Sequence, residues 1–324
     1  MPPSIVVIGS FMQDLAWRVD RFPSPGETRV GAFESGPGGK GSNQAIAATR
    51  AGGSVLFMGA IGDDPFGRDV QAFYRKEKAA AAWAVKHGVR TGTAAVLIDH
   101  SGQNEIVISM GANAHLTFAD LDQKSLAKAR VVVGQFESNV QTTAKALAFA
   151  RKSGVTTILN PAPMRRDYPT TLLKSVDILI PNETEFMALL AVQGLPVPEG
   201  HTSPAHLTPE ALDRLCREFG VPTVIVTLGK AGLFISQPGG WTRLSGCTVK
   251  AVDTTGAGDA FVGAFAAGLV RFKGDVVKAA AFGNATAALS VTKPGTSQSM
   301  PRLSAILAFQ KRQPIRPQSG ARSS

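Results

Sequence analysis

Runs of consecutive apolar residues recur along this chain, each separated from the next by a segment of helical character. The runs are Ile5-Val6-Val7-Ile8-Gly9, Val55-Leu56-Phe57-Met58-Gly59, Val131-Val132-Val133-Gly134, Thr157-Ile158-Leu159-Asn160, Val176-Asp177-Ile178-Leu179-Ile180 and Thr223-Val224-Ile225-Val226-Thr227. A strand that is apolar on both faces needs cover on both faces, and intervening helices supply it. The spacing predicts helices near 41–51, 66–80 (ending in an Ala-rich stretch), 139–153, 183–192 and 209–219, two more after residue 259, and one near 301–311. The expected fold is α/β, a central and mainly parallel sheet flanked by helices. With 324 residues, 44% of them hydrophobic, the chain can bury one large core, read as a single domain over 1–312.

Two segments depart from that rhythm. Residues 13–36 alternate, with Leu15, Trp17 and Val19 against Ala16, Arg18 and Asp20. Residues 92–110 do the same through Ala94, Val96 and Ile98, then Ile106 and Ile108 after a turn at Ser101-Gly102-Gln103. Alternation belongs to sheets with one open face. Both segments are expected to form a small antiparallel β lid on the α/β body. An apolar lid face would favour pairing into a homodimer.

The charge balance is +10. Lys311, Arg312, Arg316 and Arg322 sit near the end without an acidic neighbour, among Pro314, Pro317, Ser319, Gly320, Ser323 and Ser324, so 313–324 is expected to be a disordered basic tail. The remaining excess is dispersed, without a basic helix or interleaved aromatics. That pattern suits an anionic small molecule rather than nucleic acid. Cys216 and Cys247 lie in unrelated contexts and read as apolar residues rather than a disulfide. The five histidines, at 87, 100, 115, 201 and 206, show no metal-ligand spacing, and His201 and His206 fall in a Pro/Ser-rich loop where exposure is expected. No apolar run is long enough for a membrane span, and Met1-Pro2-Pro3-Ser4 does not open a signal peptide, so the expected location is the cytoplasm.

The segment most indicative of chemistry is Asp253-Thr254-Thr255-Gly256-Ala257-Gly258-Asp259, followed by the small, apolar helix Ala260-Phe261-Val262-Gly263-Ala264. Gly256 and Gly258 permit a tight turn with exposed N–H groups, and a helix N-terminus adds partial positive charge. Such a corner binds phosphate without a lysine. Asp259 beside it is an anion next to an anion site, an arrangement that makes sense if it accepts a proton from a hydroxyl being phosphorylated. Upstream, Gly36-Pro37-Gly38-Gly39-Lys40-Gly41-Ser42-Asn43-Gln44-Ala45 opens a helix. It matches G-x-G-x-x-G in letters, but a dinucleotide loop would close the first strand, which ends at Gly9. It does not match a P-loop either. Exposed amides, one cation and the Asn43 amide suit a hydroxyl-rich small molecule, as does the Asp14 carboxylate.

Taken together, these two loops resemble the two signatures of the PfkB carbohydrate kinase family, ribokinase branch. Gly38 to Ala45 is similar to its N-terminal signature and Asp253 to Phe261 to its C-terminal one. Between them, in order, stand Gly62-Asp63-Asp64, Gly111-Ala112-Asn113, Asn160-Pro161-Ala162-Pro163, Pro181-Asn182-Glu183-Thr184-Glu185 and Thr227-Leu228-Gly229, with Pro25-Gly26-Glu27-Thr28 ahead of them all. The resemblance implies ATP-dependent phosphorylation of a primary sugar hydroxyl. Asp259 would be the general base and Gly256, Ala257 and Gly258 the anion hole. Asp14, Gly39, Lys40, Asn43 and Glu137 would hold the sugar. Asn182, Thr227, Gly229, Gly258 and Asn284 would hold the nucleotide. Glu185, with Asn182, would organise Mg²⁺ through water, and Asp253, Thr255, Ser290, Gly295 and Ser299 would hold a monovalent cation, K⁺.

One position departs from the pattern. Met12 stands where ribokinases usually place an Asn that contacts the sugar. Lys40 and Glu137 are typical of free-sugar kinases, so ribose is the expected substrate. A nucleoside kinase of the same family is one alternative, and a non-catalytic sugar-binding sensor is the alternative of another class.

Overall fold

A computed structural model describes residues 2–195 and 203–321. His201 and the tail residues Arg322, Ser323 and Ser324 lie outside the described residues. The chain opens with β1 (Ile5–Ile8), β2 (Met12–Arg18), β3 (Ala32–Gly38), α1 (Lys40–Arg50), β4 (Val55–Gly62), α2 (Pro65–Glu77), β5 (Ala80–Lys86), β6 (Thr93–Ile98) and β7 (Asn104–Ser109). Next come α3 (Gln123–Lys128), β8 (Val131–Gln135), α4 (Val140–Lys152), β9 (Thr156–Asn160), β10 (Ile178–Leu179), α5 (Glu183–Val192), α6 (Pro209–Glu218) and β11 (Thr223–Thr227). It ends with β12 (Leu233–Gln237), β13 (Gly240–Leu244), α7 (Ala257–Arg271), α8 (Val276–Ser290), α9 (Leu303–Arg312) and β14 (Pro317–Ala321).

The larger sheet has ten strands in the order β14-β13-β12-β11-β10-β9-β8-β1-β4-β5. Every pair from β5 across to β11 is parallel. The last three strands add an antiparallel edge. Strand β1 is wholly buried, and its alternate residues feed two separate cores. Ile5 and Val7 join Ile46, Phe261, Phe265 and Phe282 under α1, α7 and α8. Val6 and Ile8 join Leu147, Phe186 and Leu212 under α4, α5 and α6. The continuous apolar runs of the sequence are therefore the strands covered on both faces, as their pattern requires.

Two stretches behave differently from their local composition. The Ala-rich end of the helix expected over 66–80 is not helical. Lys78 takes a left-handed conformation (φ 55°) that closes α2, and Ala80–Lys86 pairs with β4 as an edge strand. Alanine's helix preference is worth at most about 0.7 kcal/mol per residue. Against it stand a ladder with β4 and the contacts of Trp83 with Phe11, Phe57 and Tyr74, each worth about 0.5–1.5 kcal/mol beyond buried area. The second stretch is the tail. Pro317–Ala321, expected to be disordered, forms β14 against β13, with Trp241 opposite Gly320. A side chain at Gly320 would run into the Trp241 ring, so the glycine lets the strand lie flat on the indole. Low hydrophobicity measures what a segment can bury; it does not register the hydrogen bonds that an unpaired sheet edge offers.

The smaller sheet has the order β3-β2-β6-β7. Its two hairpins are antiparallel and meet through a parallel seam, β2 with β6. It covers both alternating segments of the sequence and stands over the carboxyl ends of the parallel strands. At its outer turn Glu27 accepts hydrogen bonds from Arg21, Arg29 and the Ser24 N–H, pinning the Pro25-Gly26-Glu27 corner. Phe33 and Val107 are exposed on this sheet, as are Ile106 and Ile108.

Candidate active site

The parallel strands end in the residues that build the site. Ser10 follows β1, Glu137 follows β8, Asn160 closes β9, Asn182 follows β10 and Thr227 closes β11. Carboxyl ends of an open parallel sheet are where such folds carry ligands. Helix α7 starts at the same level. Gly256, at φ 78°, is its N-cap and supplies the left-handed turn that a side chain would strain. Nothing within 4 Å stands where a Gly258 side chain would be, so the backbone there is open to ligand. The N–H of Ala257 turns back to the Thr254 carbonyl at 3.2 Å. Of the three residues expected to line the anion hole, Ala257 is thus the one whose N–H already has an acceptor.

Three connected spaces surround this corner. An outer cleft of about 580 Å³ is lined by Asn182, Thr227, Gly229, Gly258 and Asn284, which brings together all five residues expected at the nucleotide. A middle chamber of about 150 Å³ shares Asn182, Thr227, Ala257 and Gly258 with it and adds Lys40, Glu185, Asn160 and Asp259. A chamber of about 380 Å³ under the small sheet shares Lys40, Gly256 and Asp259 with the middle one and adds Asp14, Gly39, Asn43 and Glu137. Every residue expected to hold a sugar therefore lines one cavity, and Asp259 faces both that cavity and the glycine corner at the head of α7.

Asp259 is buried in the first turn of α7. Its Oδ2 accepts the Asn43 amide at 3.1 Å and its Oδ1 the Gln44 amide at 3.0 Å. Asn43 is itself fixed by the Ser297 hydroxyl, which donates to Asn43 Oδ1 at 2.7 Å. Gly39 takes φ 85° at the head of α1, and a Cβ there would come within 2.6 Å of the Met12 nitrogen. That close approach carries α1 over the segment after β1.

The charges are unequal. Asp259, Glu137 and Glu185 surround Lys40, whose pKa is raised chiefly by the Asp259 charge, while Asp14 feels the charges of Glu137 and Asp259 in a chamber that Arg18 also lines. Glu137 Oε2 accepts from the Ser10 hydroxyl at 2.6 Å and from the Lys40 N–H at 2.7 Å. Burial nevertheless lifts its carboxyl above the usual range, with Lys40 opposing. Burial also lifts Glu185, against the Asn182 N–H that it accepts. Asp14 is lifted to about 7 by burial and by the Glu137 charge.

Glu185 and Asn182 form a reciprocal cap on α5, each accepting the other's backbone N–H. Glu185 is the carboxylate of the middle chamber nearest the expected Mg²⁺ role. Among the described residues no cluster of three or more His, Cys, Asp or Glu could hold a metal. One carboxylate suits an ion held mainly by phosphates and water. Asp253 ties the loop that carries Gly295 to the α7 corner: its Oδ1 accepts the Thr255 N–H and its Oδ2 the Gly295 N–H, both at 2.9 Å. Burial would raise its carboxyl, but these bonds hold it below the usual range. The Ser290 and Ser299 hydroxyls donate to the Ala287 and Thr296 carbonyls. The donor set is all oxygen, as K⁺ needs. Asp253, Thr255 and Gly295 line the chamber under the small sheet, whereas Ser290 and Ser299 are buried behind it.

Sequence reasoning left several neighbours without a role. Asn113 holds the Met12 segment by donating to the Phe11 carbonyl at 2.8 Å and accepting the Phe11 N–H at 3.1 Å. Arg50 donates to the carbonyls of Ser297 and Met300 while pairing with Glu77, which anchors the 297–300 segment to α1. Cys216 is buried as expected, but Cys247 is only half-buried and lines the outer cleft. Among the described residues no helix is long and apolar enough to cross a membrane.

Comparison with known proteins bears on this site. The model of the pfkB family carbohydrate kinases matches residues 2–303. A ribokinase of Haemophilus influenzae is 34% identical over 313 residues, covering 95% of this chain and 99% of the relative. A deoxyribokinase of Salmonella typhi is 35% identical over 303 residues, covering 92% and 96%. A solved structure of Arabidopsis thaliana ribokinase complexed with ribose and ATP superposes with a TM-score of 0.83 at 30% identity, covering 96% of this chain and 99% of that one.

The raised Asp14 carboxyl has a measurable consequence. Its folded-state value of about 7 lies above the ordinary carboxylate range, so the group is protonated on the acid side of 7. A carboxylate accepts hydroxyl protons better than a carboxylic acid does. A polyol bound to Asp14 should therefore show a KM that rises by up to about tenfold per unit of acidification below 7. Asp14→Asn should weaken binding and flatten that profile. A wild-type KM constant from about pH 6 to 8 would mean that Asp14 is already ionised in the free protein.

Proposed function

The chain belongs to the pfkB family of carbohydrate kinases and is an ATP-dependent sugar kinase, and from that premise we propose that it moves the γ-phosphoryl group of ATP to the primary hydroxyl of a free pentose, ribose being the first reading. The observation that carries this is the position of Asp259, one carboxylate facing both a hydroxyl-binding chamber and the phosphate corner at the α7 N-terminus. ATP enters the outer cleft with its phosphates at Gly256 and Gly258. The sugar lies under the small sheet against Asp14, Lys40, Asn43 and Glu137. Its primary hydroxyl points at Asp259. As the oxygen attacks phosphorus and the bond to ADP breaks, Asp259 takes the hydroxyl proton. Loop N–H groups and Lys40 meet the charge on the phosphoryl oxygens. Glu185 and Asn182 would hold water on Mg²⁺, which when bound neutralises the phosphates. K⁺ on the Asp253 loop would add charge behind the corner. The small sheet excludes water, which limits futile hydrolysis of ATP.

Asp259→Asn keeps the shape and cannot take the proton. Turnover should fall by about 10²–10⁴-fold with ATP binding little changed. Near-normal kcat in a folded variant would remove Asp259 from the base role.

A second reading of the substrate is 2-deoxyribose. Met12 is buried, lines the sugar-side chamber and brings a thioether where a hydroxyl would seek a partner. A deoxyribokinase stands among the relatives. An unmade bond to a neutral hydroxyl costs about 0.5–1.5 kcal/mol, roughly three- to tenfold in affinity, and a sugar lacking that hydroxyl escapes the cost. Met12→Asn should raise the kcat/KM ratio of ribose over 2-deoxyribose by about that factor. An unchanged ratio would mean that Met12 does not face the distinguishing hydroxyl. Glu137 is proposed to bond the anomeric hydroxyl of a free sugar, a group that a nucleoside lacks; a nucleoside turned over far faster than either pentose would favour the nucleoside-kinase alternative and leave Glu137 without that contact.

Two parts of the reading concern the assembly. The loop at Asp253 is proposed to bind K⁺, so rates should be higher in K⁺ than in Na⁺ buffer, and equal rates would discard the site. The apolar small sheet is proposed to pair with a second copy, as the exposure of Phe33 and Val107 suggests; a monomeric mass in light scattering at micromolar concentration would oppose it.

A further inference from the structure

The base is approached from behind by a chain of three amides that the reaction outlined above leaves without a role. Gln44, on α1, is fully buried. Its Nε2 donates to Asp259 Oδ1 at 3.0 Å and to Asn160 Oδ1 at 3.0 Å. Its Oε1 accepts Gln135 Nε2 at 2.7 Å. Asn160 Nδ2 in turn donates to the Ile180 carbonyl at 2.9 Å.

The polarity of this chain is locked from one end. A backbone carbonyl can only accept, so Asn160 must offer its NH₂ to Ile180 and turn its oxygen to Gln44. Gln44 must then present its NH₂ to Asn160, and the second hydrogen goes to Asp259. Its oxygen is left for Gln135, which must answer with a donor. The far end is unrelieved: Gln135 Oε1 is buried without a hydrogen-bond partner. Turning the Gln135 amide over would only set two oxygens against each other. A fold that retains a buried orphan oxygen at the end of a polar chain invites a reason beyond stability. The orphan also packs against Gly9, where any side chain would collide with it.

We propose that Gln44, oriented by Asn160 and Gln135, is a positioning residue that aims the Asp259 carboxylate at the acceptor hydroxyl. Asn43 holds the other oxygen, so the carboxylate is gripped from two sides and its remaining lone pairs are turned toward the two chambers. The proposal rests on Asp259 being the base. A misdirected carboxylate lowers kcat, while the surfaces that bind ATP and sugar are untouched.

The test uses the full chain and four variants. Asp259→Asn checks the base itself: retained turnover overturns the base reading and this proposal together. Gln44→Glu keeps the shape and the acceptor for Gln135 but can donate to Asp259 only when the introduced carboxyl is protonated. Its kcat should fall by about tenfold or more at neutral pH, with KM for ATP held within twofold. The ratio of its kcat to that of the wild type should climb as pH falls, a dependence that a merely structural role would not give. Asp14, Glu137 and Glu185 feel the charge at this corner, so an uncharged Gln44→Met control separates the lost donor from the added charge: its kcat should fall to a similar extent with a flat ratio, and a wild-type kcat there overturns the positioning role. A folded Gln44→Glu protein with wild-type kcat and a flat ratio, beside an inactive Asp259→Asn, overturns the positioning role and leaves the base standing. If Gln44→Glu does not fold, Gln135→Met decides. It removes the orphan oxygen and the donor to Gln44 Oε1 while the Asn160 contact remains, so the Gln44 amide is held from one side only: kcat should drop several-fold at unchanged KM, with a lower thermal midpoint because a buried oxygen loses its partner. Unchanged kcat there overturns the proposal.

Discussion

The close packing of α1 on α7 is the contact on which the site depends. A Cβ at Gly263 would lie 2.2 Å from the Gln44 carbonyl oxygen and 2.8 Å from Ala47 Cβ, so the helices meet where one of them has no side chain. Ala47, Ala48, Ala260 and Ala264 continue the seam and are all buried. Small residues bring the two backbones close enough for Asn43 and Gln44, from one helix N-terminal turn, to reach the carboxylate in the first turn of the other. A larger residue at Gly263 would separate the glycine corner from the amides that hold Asp259, although neither loop would have changed in sequence.

That geometry also sets the electrostatics. Four carboxylates gathered in one buried place is an expensive arrangement, because desolvation penalises each charge and like charges add to the penalty. The structure spreads the cost. Glu137 is hydrogen-bonded to Ser10 and to the backbone of Lys40, and Glu185 to the backbone at Asn182. Asp259 takes two side-chain amides. Asp14 receives only a 3.5 Å contact from Thr296, and it is the one lifted to about 7. The least supported carboxylate is thus the one open to a bound polyol, whose hydroxyls would supply the missing donors.

The fold was legible wherever burial on both faces left its mark, and the parallel strands from Ile5 to Thr227 follow their apolar runs closely. It was less legible at the edges. The strand at Ala80–Lys86 depends on ring contacts of Trp83 with residues from β4 and α2, which no local window contains. The strand at Pro317–Ala321 depends on an unpaired edge contributed by residues some eighty positions earlier; the Pro238-Gly239-Gly240 turn marks the hairpin of β12 and β13, but nothing local marks the strand that pairs with its edge. In the site, the loops and Asp259 stood out because glycine and a lone carboxylate are unusual in apolar surroundings. Gln44 and Gln135 did not. A glutamine beside a binding motif reads as one more polar residue until its partners, ninety or more residues away, are placed around it.

The rigid and the adjustable parts of the site are divided between different elements. Asn160, Gln135 and Thr227 close strands of the large sheet, and Asp259 and Gln44 stand in the first turns of packed helices; none of them can shift without disturbing a core. Asp14, Met12, Ala94 and Val96 belong to the small sheet, which touches the body through few elements and carries exposed apolar residues. Discrimination between sugars that differ by one hydroxyl is a matter of one hydrogen bond, while phosphoryl transfer needs the base and the phosphate corner held to a fraction of an ångström. If Met12 meets the sugar as proposed, a change at position 12 would alter which sugar is accepted from the small sheet, without moving the residues at the ends of the large sheet's strands or in the first turns of α1 and α7.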